Sequence, residues 1–165
     1  MNKRIVFILS FVISLALLFS LSRPKSQAVM AEMSLEQLTE DADLIVVGKV
    51  GSVTSQIINE KIFSFATISV SSKIKGELKP EQSKVMVKFP GGKVGDIGMK
   101  VEDSPNYKKD EEVVVFLKSV PSESDYMTVG SSQGKLIVDE GIVLRENMPL
   151  ELFISRVKSI IKSGP

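Results

Sequence analysis

The sequence predicts a mainly β fold: a small Greek-key barrel with a short helix before it and an amphipathic helix after it. Three observations carry this expectation. Five or six segments rich in Val, Ile, Phe and Thr follow one another, separated by turn residues. Glycines interrupt the first of them, as strands that bend round a barrel corner require. Helical periodicity in the part after the leader is confined to its two ends.

The elements follow in order. Ser34 is placed to cap a first helix, with Gln37 completing a capping box and Leu35, Leu38 and Ala42 on one face. A strand over residues 44–54 (LIVVGKVGSVT) contains Gly48 and Gly51 as bulge or bend positions. A second, 63–74, alternates Phe63, Phe65, Thr67 and Ser69 with Ala66, Ile68 and Val70. Residues 75–80 (KGELKP) form a turn or loop, and a third strand over 84–89 sets Val85, Val87 and Phe89 on one side. The segment 112–117 is nearly all apolar, which predicts a central strand. Shorter strands at 126–129 and 136–138 flank Gly130-Ser131-Ser132-Gln133-Gly134, and 142–144 pairs back across Asp139-Glu140-Gly141. Pro149 suits the first turn of a last helix, in which Leu150, Phe153, Ile154, Val157, Ile160 and Ile161 keep 3.6-residue spacing. Together these describe an OB-like barrel and one domain over 29–165, without internal repeats.

Before that domain lies a leader. Lys3 and Arg4 precede an uncharged apolar run, 5–21, and a polar stretch with small residues at alternating positions follows. This order is that of a secretory signal peptide over 1–28, cut after Ser26-Gln27-Ala28, with a cut before Glu32 as the other fit to the small-x-small rule. An uncleaved anchor is the competing reading, and in it the membrane is touched only by this segment. Seventeen helical residues span only about 26 Å against a hydrocarbon core of about 30 Å. Basic residues flank both sides of the run, so charge does not orient it. Either reading exports the domain, as a secreted or envelope-associated protein.

Removing the leader changes the charge. The chain has 21 basic and 20 acidic residues; the leader's Lys3, Arg4, Arg23 and Lys25 leave 17 against 20, a net −3. A mildly acidic domain without a basic block is a poor nucleic-acid binder, because phosphate contacts dominate that affinity. The chain has no cysteine, hence no disulfide and no lipoprotein attachment, and no histidine. A Ser-His-Asp triad, a cysteine nucleophile and the usual zinc or copper sites are therefore out of reach. Carboxylate pairs, lysine-assisted serine and tyrosine remain, but tryptophan is absent and most of the Phe residues fall on core faces, a thin basis for a sugar cleft. No cofactor or metal is expected, and the chain reads as a non-enzyme.

One connection stands out. Between two confident strands runs a glycine-rich stretch of about twenty residues containing Pro90, Gly91, Gly92, Asp96, Gly98, Glu102, Asp103 and Tyr107. It reads either as a partner-binding loop or as a hairpin excursion with 94–101 as an irregular edge strand, and the sequence favours the hairpin. Asp96, Glu102 and Asp103 lack the alternating spacing of an EF-hand, and Pro90-Gly91-Gly92-Lys93 lacks that of a P-loop. Gln133 and Lys135, at the turn around Gly134, are candidate contact residues beside it. Asp110-Glu111-Glu112 reads as a solvated turn.

The segments DADLIVVGKV (41–50), TISVSSKIKGE (67–77) and KKDEEVVVFL (108–117) resemble the netrin-like OB-fold domain of tissue inhibitors of metalloproteinases and related secreted modules. The resemblance spans 41–138, and the chain is also similar to small exported bacterial and archaeal proteins of this design. It implies a non-catalytic, protein-binding barrel whose partner is an extracellular or envelope protein, with protease inhibition as one version. The family's inhibitors place an N-terminal cysteine on the catalytic zinc; this chain has none, so that mechanism does not carry over. A carboxylate-dependent hydrolase is the third reading.

Overall fold

A computed structural model describes residues 31–79, 82–120 and 125–164. The leader and its cleavage site lie outside the described residues, as does Pro80 at the end of the predicted 75–80 turn. From Glu32 the chain forms one compact unit.

The strands are β1 (Leu44–Ile58), β2 (Lys61–Lys75), β3 (Lys84–Pro90), β4 (Gly92–Val94), β5 (Ile97–Met99), β6 (Glu112–Ser119), β7 (Tyr126–Thr128), β8 (Lys135–Asp139), β9 (Ile142–Val143) and β10 (Met148–Pro149). The helices are α1 (Leu35–Asp41) and α2 (Leu150–Ser163). Five strands close a ring in the order β1-β2-β3-β7-β6 and back to β1. Every pairing in it is antiparallel except β3 with β7, which meet in parallel at Val87 and Tyr126. Three successive strands with β6 returning beside the first make a Greek key, and the barrel is OB-like as expected. Strands β8, β9 and β10 continue outward from β6.

Two cores share the walls of this ring. Inside it pack Leu44, Val46, Val50, Ala66, Ile68, Val85, Val87, Val113, Val115 and Leu117. Outside it, Ile45, Val47, Val114 and Phe116 meet the helices through Leu35, Leu38, Phe153 and Val157. Strand β6 is thus buried on both faces, which is why its sequence is continuously apolar. Two of the three β1–β2 register shifts fall at the predicted glycines, between Val47 and Gly48 and between Val50 and Ser52; the third, between Ile45 and Val46, has no glycine.

Helix α1 has the anticipated capping box, Ser34 Oγ accepting from the Gln37 N–H at 3.2 Å and Gln37 Oε1 from the Ser34 N–H at 2.8 Å. Its far end is held by two lysines. Lys75 Nζ donates to the carbonyls of Thr39 at 2.6 Å and Glu40 at 3.1 Å, which suits the negative end of a helix. Lys118 Nζ reaches the Asp41 carbonyl at 3.0 Å and Asp43 Oδ1 at 3.1 Å, while the Ser119 N–H donates to Asp43 Oδ2 at 2.9 Å. That amide bond, ahead of Lys118, holds the Asp43 carboxyl below its ordinary range against the opposing effect of burial. Gly76 follows Lys75 at φ +86°, where an added Cβ would lie 2.2 Å from the Asp43 carbonyl oxygen. Only glycine fits there.

Pro149 occupies the N-cap of α2 with φ −56°. Phe153 and Val157 are buried and Leu150, Ile154 and Ile160 partly so, whereas Ile161 is 37% exposed at the edge of the face the periodicity drew.

Strand β1 runs to Ile58, four residues past its predicted end, because its outer half forms an arm with β2. The arm turns at Asn59 (φ +48°) and Glu60 (φ +65°), a two-residue turn with both central residues left-handed. Asn tolerates that conformation and Glu does not. Glu60→Gly should therefore raise stability by about 1 kcal/mol, read as a higher urea midpoint.

Candidate functional site

The glycine-rich connection folds as a hairpin, but 94–101 is not one edge strand: Gly95 and Asp96 turn within it, and the two short strands pair only with each other. Strands β4 and β5 pair in register, Gly92 with Met99, Lys93 with Gly98 and Val94 with Ile97, around a turn at Gly95 and Asp96. The hairpin stands on the inner face of the β1–β2 arm. Gly92, at φ +128°, lies so close that a Cβ there would be 2.2 Å from Ser64 Oγ and 2.5 Å from Ser55 Oγ. Ser64 Oγ donates to the Gly91 carbonyl at 2.6 Å and sits 2.8 Å from Ser55 Oγ. A hydroxyl has one proton, so Ser55 is the donor to Ser64. This relay fastens the base of the hairpin, and the Gly91 N–H closes it by donating to the Ile62 carbonyl at 2.9 Å.

The return path is fastened separately. Ser104 Oγ donates to the Pro90 carbonyl at 2.6 Å, and the Ser132 N–H donates to the Asp103 carbonyl at 2.9 Å. Tyr107 belongs to the inner core, 4% exposed, its ring 5.3 Å from that of Phe89 and its hydroxyl 2.8 Å from Thr128 Oγ1. Burial pushes its phenol far above the ordinary value, and the Thr128 bond only partly offsets this. Lys135 crosses the same ring, with Nζ 5.1 Å from its centroid. Its ammonium pairs with Glu111 Oε2 at 2.6 Å and also donates to the Asn106 carbonyl. Burial raises the Glu111 carboxyl, but the Lys135 bond, the Lys108 N–H and the charges of both lysines outweigh it, leaving a net lowered value.

These contacts sort the predicted site residues. Gly92, Asp96, Gly98, Glu102 and Asp103 are exposed, and Pro90 and Gln133 are half-buried. Gly91, Tyr107 and the Lys135 side chain face inward: they hold the loop and do not present it. Gln133 is a bracket, its Oε1 accepting from the Met33 N–H at 2.7 Å and its carbonyl from Arg145 at 2.8 Å. Glu111, read as part of a solvated turn, is mostly buried, because Lys135 comes to meet it from 24 residues away. The serine pair under the hairpin went unread. Its signal was Ser64 standing between Ile62 and Ala66 on the apolar side of an alternating strand.

Above these fastenings the hairpin presents Ile97, 63% exposed, among the exposed side chains of Lys93, Asp96 and Lys100. Elsewhere, a groove of about 490 Å³ lies between α1 and α2, lined by Glu36, Glu40, Lys75 and Ile161 among others. Among the described residues no cluster of acidic side chains is arranged to hold a metal ion, and no helix is long and apolar enough to cross a membrane.

No protein-family model matches this chain, and no curated protein matches it.

Proposed function

We propose that this domain is a non-catalytic binding module that works outside the cytoplasm and grips an extracellular or envelope protein with the β4–β5 hairpin. The observation that carries the reading is a large apolar side chain, Ile97, held 63% exposed on a hairpin fastened at its base. A fastened hairpin loses little conformational entropy on binding, and a central apolar anchor with a charged rim is the usual composition of a contact hot spot. Lys93, Asp96 and Lys100 supply such a rim. The leader supports the extracytoplasmic part of the reading.

A photo-crosslinking residue at position 97 tests it in the producing cell, with the same probe at Glu140, on the exposed β8–β9 turn, as control. A discrete adduct at position 97 that is absent at 140 is expected. With the purified partner, Ile97→Asp should weaken binding by at least about tenfold, the size of a hot-spot loss, without changing the melting temperature. Equal labelling at both positions, or unchanged affinity of Ile97→Asp, refutes the proposal.

A further inference from the structure

The outer half of β1 has one bare edge. Strand β6 pairs with β1 only from Leu44 to Lys49, and the backbone of Val50 is taken by Glu111 and Asp110. Gly51 sits at a register shift, and from Ser52 to Ile58 the strand is bonded along β2 alone; no other described backbone group reaches it. Gly51, Ser52, Val53, Thr54, Gln56 and Ile57 are all exposed. Along this segment every second residue turns its N–H and C=O away from β2, and such a row of unpaired groups is a template for another strand, which proteins normally blunt with lysine, proline or a covering element. The opposite edge of this sheet does so: β10 carries Pro149 and runs straight into α2. The bare segment GSVTSQII has no charge and no proline.

Its pattern also states what fits against it. A two-fold axis perpendicular to a sheet sets residues of the same parity opposite one another in an antiparallel pair. Centred on Ser55, two copies of this strand bring Val53 of each against Ile57 of the other, and Thr54 against Gln56. Both apolar residues lie on one face, since Val53 pairs with Ala66 and Ile57 with Ile62 on β2. They are 37% and 52% exposed in the single chain. No charged residue meets another along the segment; at its end, Lys49 already carries Asp110 at 3.3 Å.

We infer that the 51–58 edge of β1 pairs antiparallel with the same edge of a second copy, joining two barrels through one continuous sheet. The occupant is a second copy because the segment is its own apolar complement in that register.

Sedimentation of the domain from Glu32 onward should show a concentration-dependent dimer. Val53→Lys should weaken it at least about tenfold, since the lysine would meet Ile57 of the second copy twice. The double variant Val53→Lys/Ile57→Glu sets each lysine against a glutamate of the other copy and should restore the dimer. Leu152→Lys, on the exposed side of α2, should leave it unchanged. Because the chain has no cysteine, Val53→Cys/Ile57→Cys should give a covalent dimer on oxidation, read on a non-reducing gel. Circular dichroism checks that each variant is folded. A monomer at every concentration overturns the inference, as does a dimer indifferent to Val53→Lys; no covalent dimer from the cysteine variant overturns the register.

Discussion

Phe153→Ala is expected to cost about 4 kcal/mol, within the range for truncating a buried aromatic residue. Phe153 is fully buried and meets Phe116 edge-on, with ring centroids 6.5 Å apart at 85°. It is the largest side chain that α2 contributes to the outer core, with Val157 one turn further on. Its removal leaves a void against β6 that the surrounding strands, hydrogen-bonded on both sides, cannot close. Leu152 is the control: it neighbours Phe153 in sequence but is 58% exposed, so Leu152→Ala should change stability by less than about 0.5 kcal/mol. Urea denaturation followed by circular dichroism measures both. Similar midpoints for the two variants would mean that α2 is not seated as described.

The second large effect is expected at Lys135. Lys135→Met keeps the length of the side chain but strands Glu111, whose side chain is 17% exposed, without its cation. It also removes the donor to the Asn106 carbonyl, so the segment before β6 loosens. A loss of about 3 kcal/mol at neutral pH is expected, the low end for breaking a buried pair. Its pH dependence separates an ion-pair effect from a packing effect. In the native protein the Glu111 carboxyl lies below its ordinary value, so its contribution is complete above the normal glutamate range and fades as pH falls through the lowered value. In the variant the lowering by Lys135 is gone and burial, which raises the value, has less to oppose it. Acidification then favours the folded variant. The gap between the two proteins should narrow towards about pH 3, measured by urea midpoints at several pH values. A constant gap would assign the loss to packing alone.

How much of this was legible in the sequence depends on whether the cause was local. The Ser34–Gln37 box, the bulges at Gly48 and Gly51 and the seat of α2 each rest on a few neighbouring residues, and each was readable. So was β6, since a run of five apolar residues has no polar face to show to water. The end of β1 was not. Beyond Thr54 the arm leaves the barrel, burial no longer imposes an alternating pattern, and Ser55-Gln56-Ile57-Ile58 looks like loop until the turn at Asn59 and Glu60 is recognised. The site residues divide in the same way. The glycines favoured a hairpin without placing its turn at Gly95 and Asp96, and the inward turn of Tyr107 and Lys135 depends on Phe89, Thr128 and Glu111, which are distant in the chain. A tyrosine and a lysine in a polar connection look like contact residues until the fold supplies their partners.

The shared walls have a consequence for how the domain comes apart. Along β6, Val113, Val115 and Leu117 belong to the barrel interior while Val114 and Phe116 belong to the helix layer. β1 divides in the same manner, Leu44 and Val46 against Ile45 and Val47. Neither compartment owns these strands, so neither can melt while the other keeps its structure. Heat or denaturant therefore meets a single cooperative unit, in which partial opening is expected first where the chain leaves both cores: the outer β1–β2 arm and the hairpin that stands on it.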